Sequence, residues 1–179
     1  MNPSVLETSI VLPADVRTVF AFFEDAANLE ALTPPWLNFE IKTPLPIRMK
    51  QGALIEYRIK LHGIPMRWRT LISKYEPPAD EQSPARFVDE QIRGPYILWR
   101  HLHTFEPCIH TDPVTGAAVL ATRCGDRVEY IPFGGRLVEP WFVRPKLDRI
   151  FAYRQERMKD LIVPGRVVSQ TGGVRGGGV

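Results

Sequence analysis

Leu98 to Phe105 reads LWRHLHTF, and its two histidines stand one residue apart. Side chains alternate along an extended chain, so Trp99, His101, His103 and Phe105 share one face. Leu98, Arg100, Leu102 and Thr104 share the other. Two imidazoles between two aromatic rings can do four kinds of work. They can close a hydrogen-bonded network with buried acids, or orient the carbonyl or hydroxyl of a bound molecule. They can move protons as general acid and base, or hold a metal ion. If the preceding turn centres on Pro95, Asp89 lies opposite His101 and Phe87 opposite His103. Catalysis would then fall to His101, His103 and Asp89, with the acid orienting an imidazole. An Asp–His pair is expected to favour the protonated ring. For a metal, the nearby Glu106 has the opposite parity, and the flanking glycines and second block of a cupin motif are missing. Asp89 or Asp126 would have to supply the oxygen. One His-x-His pair is a weak signal, so neither a metal nor another cofactor is expected.

The elements that must position these residues follow from periodicity. Val5 to Leu12 reads as a first strand, ended by Pro13. In ADVRTVFAFFED, Val16, Val19, Phe20 and Phe23 recur at i, i+3, i+4 and i+7, one apolar stripe of a helix. NLEAL adds a short second helix, stopped by Thr33-Pro34-Pro35. From Trp36 to Tyr130 the period is two, with strands near 37–43, 53–62, 66–76, 85–93, 97–106 and 117–130. Gly52, His62-Gly63, Pro77-Pro78, Gly94-Pro95 and Asp112 to Gly116 supply the turns, and such short links imply an antiparallel meander.

After Pro132-Phe133-Gly134-Gly135 the period returns to 3.6. Trp141, Phe142, Leu147, Ile150, Phe151, Met158, Leu161 and Ile162 then mark the apolar side of a long helix, with a bend near Pro140 or Pro145. Residues 1–163 read as a single domain and 164–179 as a disordered Gly-rich tail.

One helix cannot fill the concave side of so wide a sheet, so a cavity is expected between them. Parity selects its lining. Tyr57 falls on the inner face of its strand with Ile55 and Ile59, and Trp68 falls with Thr70 and Ile72. Phe87, Asp89 and Gln91 share a face, as do Asp126, Val128 and Tyr130. With Trp99, His101, His103 and Phe151 of the helix, these give an apolar pocket that is polar at one spot. The aromatics also suit an ordinary core, and WFVRPKL before the long helix is expected to pack against the sheet.

Composition narrows the classes. The 179 residues carry a formal charge of +3 with Lys and Arg dispersed, which argues against a nucleic-acid footprint. No apolar run reaches ~18 residues, so no membrane-spanning helix is expected. Two cysteines, Cys108 and Cys124, without a CxxC spacing exclude a thiolate zinc site. With no secretory leader apparent, a cytoplasmic location is expected.

LTPPWLNFEI, FVDEQIRGPYILWRHLHTFEP, DRVEYIPFG and LDRIFAYRQERM together resemble the SRPBCC superfamily, the START-like domains that include polyketide cyclases and lipid carriers, and within it a bacterial cyclase/dehydrase-like subgroup. The resemblance implies an α+β helix-grip fold, with a curved antiparallel sheet wrapped around a long C-terminal helix and two short helices after the first strand. It implies a cavity for an apolar small molecule, lipid-, quinone- or polyketide-like. It also leaves open a cyclase/dehydratase reaction or an accessory role beside a partner enzyme. Fold alone does not choose among these.

Overall fold

The computed structural model describes residues 2–61, 63–113 and 115–162. The expected tail lies outside the described residues. Strand β1 (Ser4–Leu12) leads into α1 (Val16–Glu24) and α2 (Asn28–Leu32). Asp15 caps α1, accepting hydrogen bonds from the Thr18 backbone N–H at 2.9 Å and its hydroxyl at 2.7 Å. Val16, Val19 and Phe20 turn inward as their spacing requires. Asp25 ends the helix and accepts from the Ala27 N–H at 2.9 Å, which redirects the chain into α2.

Six strands follow: β2 (Glu40–Ile41), β3 (Leu54–Leu61), β4 (Ile64–Glu76), β5 (Ala85–Arg93), β6 (Tyr96–Thr111) and β7 (Ala118–Pro132). They form an antiparallel meander, and β1 adds to the far edge beside β7, giving the order β1-β7-β6-β5-β4-β3-β2. The final helix, α3 (Arg144–Ile162), crosses the inner face and buries Leu147, Phe151, Met158 and Ile162. This is the helix-grip arrangement.

Three local expectations need correction. The strand expected over 37–43 shrinks to two residues, because Pro35–Leu37 forms a 3-10 turn and Asn38 adopts a left-handed backbone (φ 43). Trp141 and Phe142 do not belong to the helix stripe. A π-helical turn over Glu139–Val143 precedes α3 and leaves them 79% and 62% exposed, so of WFVRPKL only Val143 and Leu147 pack against the sheet's core. Pro145 sits in the first turn of α3, where proline is tolerated, so the break lies at the π turn around Pro140.

The inner face has two parts. At one end Phe20 meets Phe105 edge to face, with centroids 5.3 Å apart, over Val16, Val19 and Cys124 in a closed apolar core. At the other, Trp68, Trp99, Leu147 and Phe151 pack around an open space.

Candidate functional site

A cavity of about 180 Å³ lies between the sheet, α2 and α3. Trp68, in mid-β4, and Trp99, in β6, form its aromatic wall at right angles, 5.3 Å between centroids, and Tyr57 stacks on Trp68 at 5.7 Å. Apolar side chains of α2 and α3 face them, including Leu29, Leu32 and Ile150.

The polar spot comes from β5, β6 and β7. The register pairs Asp89 with His101 and Phe87 with His103, as their spacing about Pro95 requires, and pairs His103 with Asp126. Both imidazoles are buried, their rings 3.8 Å apart, with Phe87 stacked on His103 at 4.1 Å. Each ring touches both acids. His101 Nε2 lies 2.9 Å from Asp126 Oδ1, and its Nδ1 3.5 Å from Asp89 Oδ2. His103 Nε2 lies 2.9 Å from Asp89 Oδ2, and its Nδ1 3.2 Å from Asp126 Oδ1.

Arg154 of α3 completes the cluster. Its Nε is 4.0 Å from Asp126 Oδ1 and its Nη2 3.5 Å from His103 Nδ1. Burial opposes ionisation of Asp126, but the Arg154 charge and the histidine hydrogen bonds hold its carboxyl well below the usual range. The expectation of a favoured protonated ring is corrected at His101. Burial, then the neighbouring His103, lower the pKa of His101 and outweigh the pull of the two carboxylates.

The structure brings together most of the residues that parity selects. Tyr57, Trp68, Phe87, Asp89, Trp99, His101, His103 and Phe151 line the cavity. Three others sit elsewhere. Gln91 closes the β5–β6 hairpin, its Nε2 donating to Tyr96 O at 2.7 Å and its Oε1 accepting from Tyr96 N at 3.3 Å. It lies where any side chain at Gly94 would collide with it. Tyr130 is fully buried and its hydroxyl donates to Glu139 Oε1 at 2.5 Å, away from the cavity. Asp126 lies behind the two imidazoles rather than on the cavity surface.

Tyr96 and Arg154 are among the lining residues that strand parity does not select. Tyr96 points inward because a bulge at Ile97 shifts the β6–β7 register, so Tyr96 and Trp99 face the same way, 4.8 Å between rings. Arg154 falls inside the apolar stripe Leu147, Ile150, Phe151, Met158 of α3. A single charge on an otherwise apolar helical face is the signal that could have found it.

No family model and no curated protein matches this chain. Solved structures do match it in fold. Major latex-like protein 151 from Panax ginseng superimposes with a TM-score of 0.55 at 12% identity, over 92% of this chain and all of that one. Ara h 8.0201 gives 0.55 at 11%, over 89% of this chain and 97% of that one. Protein CV1439 from Chromobacterium violaceum gives 0.57 at 14%, over 90% and 99%. The first two proteins belong to the START-like (SRPBCC) superfamily, and this chain shares their helix-grip fold.

Proposed function

We propose that the protein binds an apolar small molecule in the cavity, with the ligand's polar end against Asp89, His101, His103 and Arg154. The observation that carries this reading is an unmatched donor. Trp68 Nε1 is buried without a hydrogen-bond partner on a residue that lines the cavity. A buried polar group left unpaired costs about 1–3 kcal/mol, which a ligand acceptor would recover. Arg154 Nε, on the opposite wall, is in the same position. The cavity slightly exceeds the ~150 Å³ that accepts benzene, so a ligand head of one or two rings fits it. The quinone-like and polyketide-like classes meet this description through their ring systems.

A second reading is favoured by one distance. His103 Nε2 and Asp89 Oδ2 form a 2.9 Å pair on the cavity surface, the geometry of an oriented general base. A cyclase/dehydratase-like proton transfer at an enolisable carbon fits that pair, in keeping with the sequence resemblance to a bacterial cyclase-like subgroup. An accessory role beside a partner enzyme fits the exposed Trp141 and Phe142. Both cysteines are free thiols, in keeping with a cytoplasmic setting.

Native mass spectrometry of freshly purified protein, then of the same sample denatured, tests the binding reading. The expected result is an organic mass lost on unfolding. A clean protein mass, together with no saturable binding of 2-naphthol as a two-ring probe, would overturn it.

A further inference from the structure

We propose that Asp89, His101 and His103 form a three-donor site for a divalent first-row transition ion, Zn²⁺ or Fe²⁺, with Asp126 as the outer acceptor that aligns both imidazoles. The His-x-His pair alone is weak evidence. The fold adds a third donor from β5, a second layer from β7 and an open side.

The four ring nitrogens divide into two sets. His101 Nε2 and His103 Nδ1 both meet Asp126 Oδ1, at 2.9 and 3.2 Å. His101 Nδ1 and His103 Nε2 both meet Asp89 Oδ2, at 3.5 and 2.9 Å. A neutral imidazole has one N–H. When both rings donate theirs to Asp126, the other two nitrogens turn lone pairs toward a carboxylate that also offers only lone pairs. In that tautomer the three groups converge with lone pairs alone, the arrangement a bound cation takes. Without an ion, His103 Nε2 pairs with Asp89 at 2.9 Å and its Nδ1 accepts from Arg154 Nη2 at 3.5 Å; ion binding would move the N–H to Nδ1, where Asp126 Oδ1 lies 3.2 Å away.

Spacing agrees. Neighbouring donors around an ion with bonds of about 2.1 Å stand roughly 3.0–3.4 Å apart. Two of the three edges, 2.9 and 3.5 Å, bracket that range, and all three ligand atoms lie within 4.8 Å of one another. Metal-bound histidines ordinarily donate their other N–H to a carboxylate, which is the part Asp126 plays for both rings. The charges also fit. Arg154 compensates Asp126 from 4.0 Å, which leaves the Asp89 charge for the ion. Two imidazoles and one carboxylate suit Zn²⁺ or Fe²⁺ rather than the oxygen-seeking Mg²⁺ or Ca²⁺.

The three donors line the cavity and Asp126 does not, so any remaining coordination positions face the ligand space. That last point rests on the proposed binding function, where the ion would take the oxygen of a ligand's polar end. The metal site itself does not rest on it.

The test is calorimetric titration of the full-length, chelator-treated protein with Zn²⁺, with Co²⁺ absorption as the reporter of geometry and Fe²⁺ titrated anaerobically in parallel. One equivalent should bind, and Co²⁺ should develop visible ligand-field bands. Asp89→Asn and His103→Ala should each weaken binding at least tenfold, Asp126→Asn about 10–100-fold. His110→Ala, on an exposed stretch of β6, should leave binding unchanged. Far-UV circular dichroism and a cooperative melt check that each variant is folded. Wild-type protein that binds Zn²⁺, Co²⁺ and Fe²⁺ no better than a folded Asp89→Asn variant would overturn the site. Titration of the metal-free protein with 2-naphthol separates the two proposals. Saturable probe binding without metal binding removes only the metal site, and metal binding without probe binding removes only the ligand reading.

Discussion

The two faces of β5, β6 and β7 carry the same kind of interaction in opposite surroundings. On the outer face Arg100 bridges Glu90 at 3.3 Å and Glu129 at 3.6 Å, all three side chains between 27% and 48% exposed. On the inner face His101 and His103 bridge Asp89 and Asp126 at similar distances, with three of those side chains only 5–7% exposed. Along β6 the two sets are separated by one residue. Water around the outer pairs screens each charge and leaves a small net gain. Inside, each charge has lost its hydration, so every member depends on the others. The outer face therefore contributes solubility and some register, while the inner face concentrates buried, mutually dependent charge.

That contrast can be broken in graded steps. Asp126→Ala should have the largest effect. It removes the buried acceptor shared by both imidazoles and strands Arg154, and losing one partner of a buried ionic network costs about 3–5 kcal/mol. Urea denaturation would read this as a much lower midpoint, and a midpoint close to wild type would show that the cluster does not depend on its acceptor. Asp89→Ala should cost less, about 1–3 kcal/mol, because Asp89 borders the cavity and its side chain is 18% exposed. Thermal melts of the two variants, run together, sharpen the ranking. A larger loss for Asp89 than for Asp126 would reverse the assignment of inner and outer acid. Arg100→Ala should be smallest, below about 1 kcal/mol, and molar salt should erase it. A salt-independent loss of several kcal/mol at Arg100 would dissolve the distinction between the faces.

Much of this arrangement is legible in the sequence because a strand's period is two. Pro95 centres the β5–β6 hairpin, and that alone sets Asp89 against His101 and Phe87 against His103. The alternation of β6 then separates the imidazoles from Arg100. Parity fails where the strands are irregular. The bulge at Ile97 brings Tyr96 inward, and another between Ile72 and Lys74 lets Tyr75 follow Ile72 onto the inner face, 5.7 Å from Phe20. Neither bulge has a glycine or proline at its centre to announce it.

Parity also says which way a side chain points but not what it touches. Tyr130 points inward and is spent on Glu139, and Gln91 is spent on its own hairpin. Trp141 and Phe142 are misread for a different reason. The π turn before α3 offsets them from the helical phase that their spacing suggests. The charge of Arg154 hides among the other arginines of α3, Arg144, Arg149 and Arg157, and only its place within the apolar stripe distinguishes it.

Whether the space between Trp68, Trp99 and α3 holds a ligand can be read from the indole N–H signals. The four tryptophans give four side-chain cross-peaks in a ¹H–¹⁵N correlation spectrum, assigned by single Trp→Phe variants. On titration with 2-naphthol the account predicts saturable shifts of the Trp68 and Trp99 signals, the largest at the unpartnered Trp68 Nε1–H, while exposed Trp141 stays still. A Trp68 signal that does not move, or one that moves no more than Trp141, would contradict it.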